Sequence, residues 1–359
     1  MGMGHYERLL IQHLGQIAPD DKEDWQFEMT FEGRNPDPPL DANALDAALR
    51  RADFLGFSTA RLARLPLAAV QTLLNLRSGK KPDVTHSLAL SFPLPTKAPG
   101  VFTIHDLPPA RFADEGKLAP WAEKAAHAAR FIMTPSEFAK RELVELLKLP
   151  EQKVIVIPYG CEHDRYHPDV KPADNAQLKA WGIEGDYLLY AGGFTRRKNV
   201  AALLEAWKTL APDYPELTLV LAGPQAPLTA LANTANAPRV LPMGYVSYGQ
   251  MPSLMKAARA LVFPSIYEGF GLPPQEAMAL GVPVVISAQG GATPEVVGEA
   301  GVTARDGGAP ALAEAMRELL GDEALQERLK VAGPERAARF DWGGHARAVL
   351  DVYRRAMDG

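Results

Sequence analysis

The sequence has little cysteine, no long apolar run and no excess of basic charge. A single cysteine, Cys161, stands among 359 residues, which excludes an internal disulfide and a cysteine-based metal cluster and favours a cytoplasmic protein. No stretch approaches the roughly 20 consecutive apolar residues of a membrane-spanning helix, and the first residues lack a signal-peptide pattern. The formal net charge of −5 argues against a general nucleic-acid-binding protein, because such proteins carry a basic excess.

Length and composition favour two α/β domains. A chain of 359 residues exceeds one ordinary domain, and 47% hydrophobic residues suffice for two cores. Short β-branched runs alternate with helical patterns, which is typical of βαβ units and parallel sheets. We predict an N-terminal Rossmann-like domain over 1–165, a C-terminal Rossmann-like domain over 166–340 and a final helix over 341–359. The proline- and glycine-containing stretch 158–173 is predicted to link the domains.

The alternation also predicts individual elements. Strands are expected at 54–56, 84–86, 101–104, 131–134, 154–157, 187–191, 217–222, 260–263 and 283–287. Helices are expected at 5–14, 120–129, 136–148, 199–210, 247–258, 272–280 and 342–357. The chain starts with Gly2 and Gly4 rather than with a strand, so the first strand of the N-terminal domain is predicted to be missing.

The most informative stretch is 263–287, FPSIYEGFGLPPQEAMALGVPVVIS. A buried strand is followed by a loop that contains Glu268, and a helix begins near Leu272. In open α/β sheets, ligands bind beyond the carboxyl ends of the strands. Glycines in such a loop let the backbone approach a ligand closely, and free amides at a helix start bind anions such as phosphate. Glu276, one turn into the helix, can accept hydrogen bonds from the two vicinal hydroxyls of a ribose.

Two glutamates separated by seven residues are uninformative alone, but other stretches of the chain accompany them in a characteristic order. They are FTIHDL at 102–107, TPSEF at 134–138, VIPYG at 156–160, AGGFTRRKN at 191–199, LAG at 221–223, GYV at 244–246 and PEVVG at 294–298. Over nearly its whole length the chain resembles glycosyltransferase family four, a family of retaining enzymes with the GT-B fold. The resemblance implies two Rossmann-like domains that face each other across a cleft, with a C-terminal helix that crosses back to the N-terminal domain.

The resemblance assigns roles to residues of the C-terminal domain. Arg197 and Lys198 are implied to bind the donor diphosphate, because two cations near a helix start can neutralise this leaving group without a metal ion. Many family members carry an arginine where this chain has Gly193, another implied donor-binding position, and Arg197 is expected to substitute for it. Glu268 is implied to bind hydroxyls of the donor sugar, and Glu276 the ribose. Backbone amides of the following residues are implied to reach the sugar and phosphate: Gly269, Phe270, Gly271 and Leu272.

Further positions complete the predicted site. His105 ends a strand of the N-terminal domain and is implied to act near the sugar hydroxyls. Val246 is implied to lie beside the nucleotide base. Gly2 and Gly4 are implied to meet the donor phosphates from the N-terminal domain. The predicted catalytic set is therefore His105, Glu268, Lys198 and Arg197, with no metal site.

The implied activity is transfer of a hexose from a nucleotide diphosphate sugar to a hydroxyl of a glycan or lipid-linked acceptor, as in polysaccharide biosynthesis. The donor is a substrate, so no separate cofactor is implied. The motifs IHDL at 104–107 and RKN at 197–199 favour GDP-mannose or a related donor. No carboxylate stands at the position expected for a covalent nucleophile, so retention is expected by departure of the diphosphate from the face that the acceptor attacks.

The stretch 50–81 concentrates basic charge, with Arg50, Arg51, Arg61, Arg64, Arg77, Lys80 and Lys81 against the single acid Asp53. Apolar residues are interleaved with these cations. One interpretation is a peripheral surface that contacts anionic lipid headgroups at the inner membrane face. The other is a packed helix with ordinary solvated arginines.

Three alternative functions stay open at this stage. A sugar-nucleotide 2-epimerase shares the fold, although the order of the motifs disfavours it. A nicotinamide-dependent dehydrogenase is disfavoured because Gly2 and Gly4 are followed by Glu7 where the third glycine of the dinucleotide fingerprint belongs. A catalytically impaired sugar-nucleotide-binding protein is favoured by the shortened start and disfavoured by intact Glu268, Glu276 and Lys198.

Overall fold

The computed structural model describes residues 3–17, 28–32, 53–57, 83–88, 98–118 and 122–358. The helices are α1 (Met3–Ile17), α2 (Pro108–Arg111), α3 (Ala122–Ala128), α4 (Glu137–Leu147), α5 (Asn175–Ala180), α6 (Val200–Leu210), α7 (Gln225–Ala235), α8 (Met251–Ala257), α9 (Leu272–Ala279), α10 (Thr293–Val297), α11 (Ala309–Gly321), α12 (Glu323–Ala337) and α13 (Trp342–Met357). The strands are β1 (Glu28–Glu32), β2 (Asp53–Phe57), β3 (Thr85–Ser87), β4 (Gly100–Thr103), β5 (Phe131–Thr134), β6 (Val154–Val156), β7 (Tyr187–Ala191), β8 (Thr218–Ala222), β9 (Val240–Gly244), β10 (Ala260–Phe263), β11 (Val284–Ser287) and β12 (Val302–Ala304).

The chain folds into two compact units. The first comprises Met1–Leu107, Lys117–Gly160 and Trp342–Gly359, and the second comprises Pro108–Gly116 and Cys161–Asp341. The sequence analysis predicted the domain boundaries after residues 165 and 340. Tyr166 is fully buried and the amide of Ala173 donates to the carbonyl of Ser253. Much of the predicted linker therefore packs as part of the second unit.

The first unit contains a parallel sheet with strand order β3-β4-β5-β6. Neighbouring strands are consecutive in the chain, and Phe102 is paired with Ile132 in the register of β4 and β5. These two side chains and Leu143 of α4 are fully buried in one apolar core. The amide of Ala139 donates to Oγ of Ser136 at 3.0 Å, so Ser136 caps α4. Strands β1 and β2 pair with each other in parallel.

The C-terminal helix α13 belongs to the first unit, as the resemblance implies. Its His345 donates from Nδ1 to the carbonyl of Pro158 at 2.8 Å, and Tyr353 is hydrogen-bonded to Nδ1 of His86 at 2.7 Å. A Cβ on Gly160 would overlap the backbone nitrogen and the ring of Trp342. Glycine at 160 therefore allows Trp342, at the start of α13, to pack directly against the backbone that follows β6.

The second unit contains a parallel sheet with strand order β12-β11-β10-β7-β8-β9. The chain proceeds from β7 outward through β8 and β9, then returns to the other side of β7 with β10 and continues outward to β12. Strands β7 and β10 therefore flank the topological switch point of a doubly wound sheet, where ligands bind in such folds. Helices cover the sheet with an apolar core that includes fully buried Trp207 of α6, whose Nε1 donates to the carbonyl of Pro238 at 2.6 Å.

Most predicted elements are present with shifted ends, and a few differ. Helix α1 extends beyond the predicted 5–14 at both ends and places Gly4 in its first turn rather than in a loop. The helix predicted at 247–258 begins at Met251, because the amide of Gln250 donates to the carbonyl of Ser247 in a preceding turn. The elements that were not predicted are helices α2, α5, α7, α10, α11 and α12 and strands β1, β9 and β12. Gly2 and the basic stretch 50–81, except for 53–57, lie outside the described residues.

Within the described ranges, no helix combines the length and the apolar character needed to cross a membrane.

Candidate functional site

The loops that follow β7 and β10 meet at the switch point of the second sheet. The amide of Ile266 donates to the carbonyl of Arg197 at 2.8 Å. The side-chain amide of Asn199 donates to the carbonyls of Pro264 at 3.1 Å and Gly307 at 2.8 Å. Asn199 adopts a left-handed conformation with φ of 56°, which asparagine tolerates better than most residues. These bonds fix the turn Arg196–Lys198 against the loop that carries Glu268.

Glu268, Arg197 and Lys198 form one ionic cluster. Nζ of Lys198 lies 2.6 Å from Oε1 of Glu268, and Nη1 of Arg197 lies 2.9 Å from Oε2. The side chain of Glu268 is 9% exposed and those of both cations are 16% exposed. A carboxylate this buried requires such partners, because an uncompensated charge would be costly away from water. The structure thus brings together three of the four predicted catalytic residues.

The cluster controls the ionisation of Glu268. Burial acts to raise the pKa of this carboxyl, but Lys198 and then Arg197 outweigh it and hold the pKa below its usual value. Glu268 is consequently ionised at neutral pH and acts as a hydrogen-bond acceptor. A buried acceptor beside two cations can bind sugar hydroxyls while the cations face a phosphate.

Two acidic residues that the sequence analysis did not single out also reach this cluster. Oε1 of Glu115 lies 2.7 Å from Nε of Arg197, and Oδ2 of Asp114 accepts from the amide of Arg196 at 2.8 Å. The ring of Phe112 packs edge-on against Tyr267 with 5.5 Å between ring centroids. All three belong to Pro108–Gly116, which groups with the second unit although its flanking chain groups with the first. The sequence signal was the pair of acids shortly after the IHDL motif.

Glycines allow the loops after β7 and β8 to approach each other. A Cβ on Gly223 would overlap the carbonyl oxygen of Gly192, so only glycine fits there without displacing the backbone. A Cβ on Gly192 would lie 2.7 Å from the hydroxyl of Tyr190, whereas one on Gly193 would meet nothing within 4 Å. The carbonyl of Gly193 accepts from the Tyr190 hydroxyl at 2.5 Å. Gly193 lies in the loop after β7 that leads to the turn with Arg197.

The loop after β10 leads into the start of α9. Gly271 precedes the helix with φ of 118°, a conformation that favours glycine. Gly269 and Phe270 are buried, Leu272 is half-buried, and the ring of Phe270 packs edge-on against Phe340 at 5.6 Å. Pro273 and Pro274 in the first turn of α9 carry no amide hydrogen, and the amide of Gln275 donates to the carbonyl of Gly271 at 3.3 Å. Leu272 is therefore the residue of this first turn whose amide can bind an anion.

Glu276 is buried in α9 near Cys161, Glu162 and Tyr166. Its Oε2 has no hydrogen-bond partner among the described residues. Burial, reinforced by the nearby carboxylate of Glu162, raises the pKa of Glu276 to about 8. The two glutamates of the motif therefore differ in ionisation: Glu268 is held as a carboxylate and Glu276 is held mostly protonated at neutral pH.

The remaining predicted site residues lie elsewhere. His105 is in the first unit, where it is hydrogen-bonded through Nδ1 to the hydroxyl of Tyr159 and where burial lowers its pKa to about 4. Gly4 is in α1 of the same unit, and Val246 lies half-buried two residues after β9 of the second. Across the part of the chain that the structure describes, no group of three or more histidines, cysteines or carboxylates is arranged to hold a metal ion.

Each half of the chain matches the model of a protein family. A glycosyltransferase family 4 model matches residues 27–165, and a model described as glycosyl transferases group 1 matches residues 175–336. The second match contains Arg197, Lys198 and Glu268, and the first contains Glu115. The chain belongs to the group 1 glycosyltransferases. The family expected from the motifs is thereby confirmed.

Individual relatives of this group 1 glycosyltransferase share about a third of the aligned residues. O-antigen chain mannosyltransferase B from Escherichia coli is 32% identical over 250 residues, which cover 65% of this chain and 64% of the relative. D-inositol 3-phosphate glycosyltransferase from Streptomyces avermitilis is 34% identical over 251 residues, which cover 65% of this chain and 53% of the relative. The aligned part of the chain thus spans less than two thirds of the length of either relative.

The fold is confirmed by comparison with solved structures. Sucrose-phosphate synthase from Thermosynechococcus elongatus aligns with a TM-score of 0.77 and 22% identity, covering 99% of this group 1 glycosyltransferase and 93% of the other chain. Two parallel sheets with Rossmann-like topology and this likeness identify the GT-B fold.

Proposed function

We propose that the protein transfers a hexose from a nucleotide diphosphate sugar to a hydroxyl of a glycan or lipid-linked acceptor, with retention of anomeric configuration. The observation that carries this proposal is the Arg197–Glu268–Lys198 cluster at the switch point of the second sheet. It combines two cations with a buried carboxylate in the place where doubly wound sheets bind nucleotides. Membership of the group 1 glycosyltransferases supports the same assignment.

The proposed chemistry uses the two kinds of charge in the cluster separately. Arg197 and Lys198 face the diphosphate and stabilise the negative charge that develops as the bond between the sugar and the phosphate oxygen breaks. Glu268, ionised because of these cations, accepts hydrogen bonds from hydroxyls of the donor sugar. The acceptor hydroxyl attacks the anomeric carbon on the face from which the diphosphate departs, and its proton passes to the departing phosphate oxygen.

The proposed ribose site is Glu276. Its buried Oε2 has no hydrogen-bond partner among the described residues, and ribose hydroxyls are donors of the required kind. A protonated carboxyl can donate one hydrogen bond and accept another, which suits a pair of vicinal hydroxyls. The amide of Leu272, four residues earlier at the start of α9, is proposed to bind a phosphate oxygen.

The preferred donor is GDP-mannose or a related GDP-sugar. The 32% identical relative from Escherichia coli is an O-antigen chain mannosyltransferase, and the IHDL and RKN motifs point the same way. A polysaccharide under assembly, or its lipid-linked precursor, is the proposed acceptor, and the reaction is proposed to take place in the cytoplasm. The function of His105 and the membrane contact of 50–81 stay predictions.

Binding of nucleotides to the full chain tests the donor site. Calorimetric titration with GDP, UDP, dTDP and ADP is expected to show binding of one nucleotide in preference, with GDP favoured. Lys198→Ala is expected to weaken that binding about tenfold or more, because it removes a charge-assisted contact to phosphate. Glu276→Ala is expected to weaken nucleoside diphosphate binding and to leave inorganic pyrophosphate binding unchanged. Failure of all four nucleotides to bind would contradict the proposed donor site.

Turnover separates the transferase from the other functions open to the sequence. With the preferred nucleotide sugar and a glycan acceptor, release of nucleoside diphosphate together with a longer glycan supports transfer. Conversion of the donor sugar to its 2-epimer without an acceptor would indicate an epimerase. Binding without either reaction, across a panel of acceptors, would indicate a sugar-nucleotide-binding protein.

A further inference from the structure

The guanidinium of Arg197 is engaged by two internal acids. Oε1 of Glu115 lies 2.7 Å from Nε of Arg197, and Oε2 of Glu268 lies 2.9 Å from Nη1. The other carboxylate oxygen of Glu268 binds Lys198. Each of these two cations therefore faces a carboxylate. A diphosphate that bound the same cations would bring further negative charge next to both acids, so one acid has to move away.

Glu115 is held by a short acidic segment, Pro108–Gly116. The segment consists of α2, the turn Ala113–Glu115 and Gly116, whose φ of 88° ends the turn. It contacts the rest of the second unit through Glu115, through Asp114 on the amide of Arg196 at 2.8 Å, and through Phe112 on Tyr267. These contacts comprise an ion pair, a hydrogen bond to the backbone and a ring contact.

Glu268 is attached far more firmly than Glu115. It follows a central strand of the sheet, bonds both cations, and its own carbonyl accepts from the amide of Ala292 at 2.9 Å. Glu115 bonds one cation from a three-residue turn in which Ala113, Asp114 and the adjacent Gly116 are all exposed. Moving Glu268 would disturb the buried loop before α9, whereas moving Glu115, whose side chain is 15% exposed, disturbs a turn whose neighbouring residues are exposed. Glu115 is therefore the acid that yields.

We propose that Glu115 acts as an internal competitor for the diphosphate at Arg197, so that donor binding displaces it and releases the acidic segment. This inference rests on the proposed function, because it concerns regulation of the same donor site. As a competitor, Glu115 lowers the affinity of the site for free nucleoside diphosphate. Binding of a diphosphate at Arg197 also releases the segment Pro108–Gly116 from its contacts. After transfer, return of Glu115 to Arg197 favours release of the diphosphate.

Calorimetry on the full chain with GDP, UDP and inorganic pyrophosphate tests the competition. Glu115→Gln removes the charge and keeps the shape, and it is expected to bind pyrophosphate and the preferred nucleotide about three- to tenfold more tightly than the unsubstituted protein. Glu123→Gln removes an equal charge from an exposed position on α3 and is expected to leave both affinities unchanged. Equal or weaker binding by Glu115→Gln would overturn the inference, since weaker binding would make Glu115 a support for Arg197.

A second measurement uses the unsubstituted protein and does not depend on the stability of a variant. Hydrogen exchange of Pro108–Gly116 is expected to speed up at saturating GDP or pyrophosphate, while exchange in α9 slows. Slower exchange in the segment on ligand binding would overturn the inference.

The outcomes distinguish this inference from the proposed function. Binding of GDP or UDP by the unsubstituted protein with no gain in Glu115→Gln overturns the competitor and leaves the donor site standing. No binding of pyrophosphate or of any of the four nucleotides GDP, UDP, dTDP and ADP by either protein overturns both.

Discussion

At the scale of single residues, the two glutamates of the 263–287 stretch differ in what surrounds their carboxyl groups. Glu268 lies between Lys198 and Arg197, whereas Glu276 lies near the acid Glu162 and the hydroxyl of Tyr166. Cations favour the charged form of a carboxyl, and burial beside another acid favours the neutral form. Environments that separate the pKa values of two similar groups are typical of sites where the groups perform different tasks.

Lys198→Met should expose how far Glu268 depends on its partners. The substitution keeps most of the side-chain volume but leaves Oε1 of Glu268 without its cation, so the folded protein should lose about 2–4 kcal/mol of unfolding free energy. Urea denaturation at pH 7 measures this loss. Lys179→Met, at an exposed position of α5, is the matched control and should change the unfolding free energy little. An unchanged stability in Lys198→Met would mean that the cluster is not maintained in solution.

Glu276 should make the protein less stable at alkaline pH. Its pKa is about 8 in the folded chain against an ordinary 4.5, so the stabilisation is complete below pH 4.5 and is lost as pH rises through 8. The folded form retains a proton that the unfolded form has released, and the loss amounts to roughly 5 kcal/mol when complete. Urea denaturation from pH 5 to 9 should show the decline. Glu276→Gln cannot ionise and should have a flatter profile, and parallel profiles for the two proteins would refute this account.

At the scale of elements, glycines set how closely the carboxyl ends of the central strands approach one another. Gly223 follows β8, its amide donates to the carbonyl of Gly244 at 2.9 Å, and the amide of Gly192 donates to the carbonyl of Ala222 at 3.0 Å. The ends of β7, β8 and β9 are thereby joined backbone to backbone. Side chains at these positions would separate the strand ends and move the turn that carries Arg197.

Gly223→Ala should therefore disturb both stability and nucleotide binding. Its added Cβ overlaps the carbonyl of Gly192, and relief of such an overlap costs about 1–3 kcal/mol. Displacement of the Gly192–Gly193 turn should also weaken binding of the preferred nucleoside diphosphate. Gly321→Ala, where a Cβ meets nothing within 4 Å, is the control and should be neutral or slightly stabilising in its helix. Thermal unfolding and calorimetry on both variants check the pair.

The sequence was informative about elements whose pattern is local and uninformative about contacts between distant segments. Strand β10, the loop with Glu268 and helix α9 follow from an apolar run, glycines and prolines that are adjacent in the chain. Helix α7, QAPLTALANTA, was missed because a proline, two threonines and an asparagine interrupt its alanines and leucines. Buried Leu228 and Ala232, four residues apart, were a usable signal. Glu115 was missed because its partner Arg197 is 82 residues away, and no local pattern encodes that pairing.

At the scale of the whole molecule, the first compact unit is assembled from both ends of the described chain. Tyr6 of α1 lies 3.2 Å from Nε2 of His345 in α13, and His86 of β3 is bonded both to Tyr353 of α13 and to Thr103 of β4 at 2.8 Å. The C-terminal helix therefore completes the polar interior of the first unit. In this interior, the buried rings of His86 and His345 are hydrogen-bonded to tyrosine and threonine hydroxyls. A hydroxyl can be the donor or the acceptor, so it can pair with either nitrogen of a neutral histidine ring.

The two units should respond to pH in opposite directions. Burial lowers the pKa of His86 to about 3 and those of His105 and His345 to about 4, from an ordinary 6.5, and all three lie in the first unit. Their contribution to stability is present above pH 6.5 and is lost as pH falls through about 4, because the unfolded chain binds protons that the folded rings exclude. As pH falls from 6.5 to 4.5, the second unit should instead gain stability, because Glu276 becomes protonated in the unfolded chain and is already protonated in the folded one.

Limited proteolysis with peptide mapping at graded urea concentrations, at pH 7 and at pH 5, measures both units in one sample, so that each serves as the control for the other. At pH 5 cleavage should begin within the first unit at a lower urea concentration than at pH 7, while the second unit should resist cleavage at least as well as before. Earlier cleavage of the second unit at pH 5 would show that groups other than Glu276 control its response to acid. Equal protection of the first unit at both pH values would show that its histidines accept protons without unfolding it.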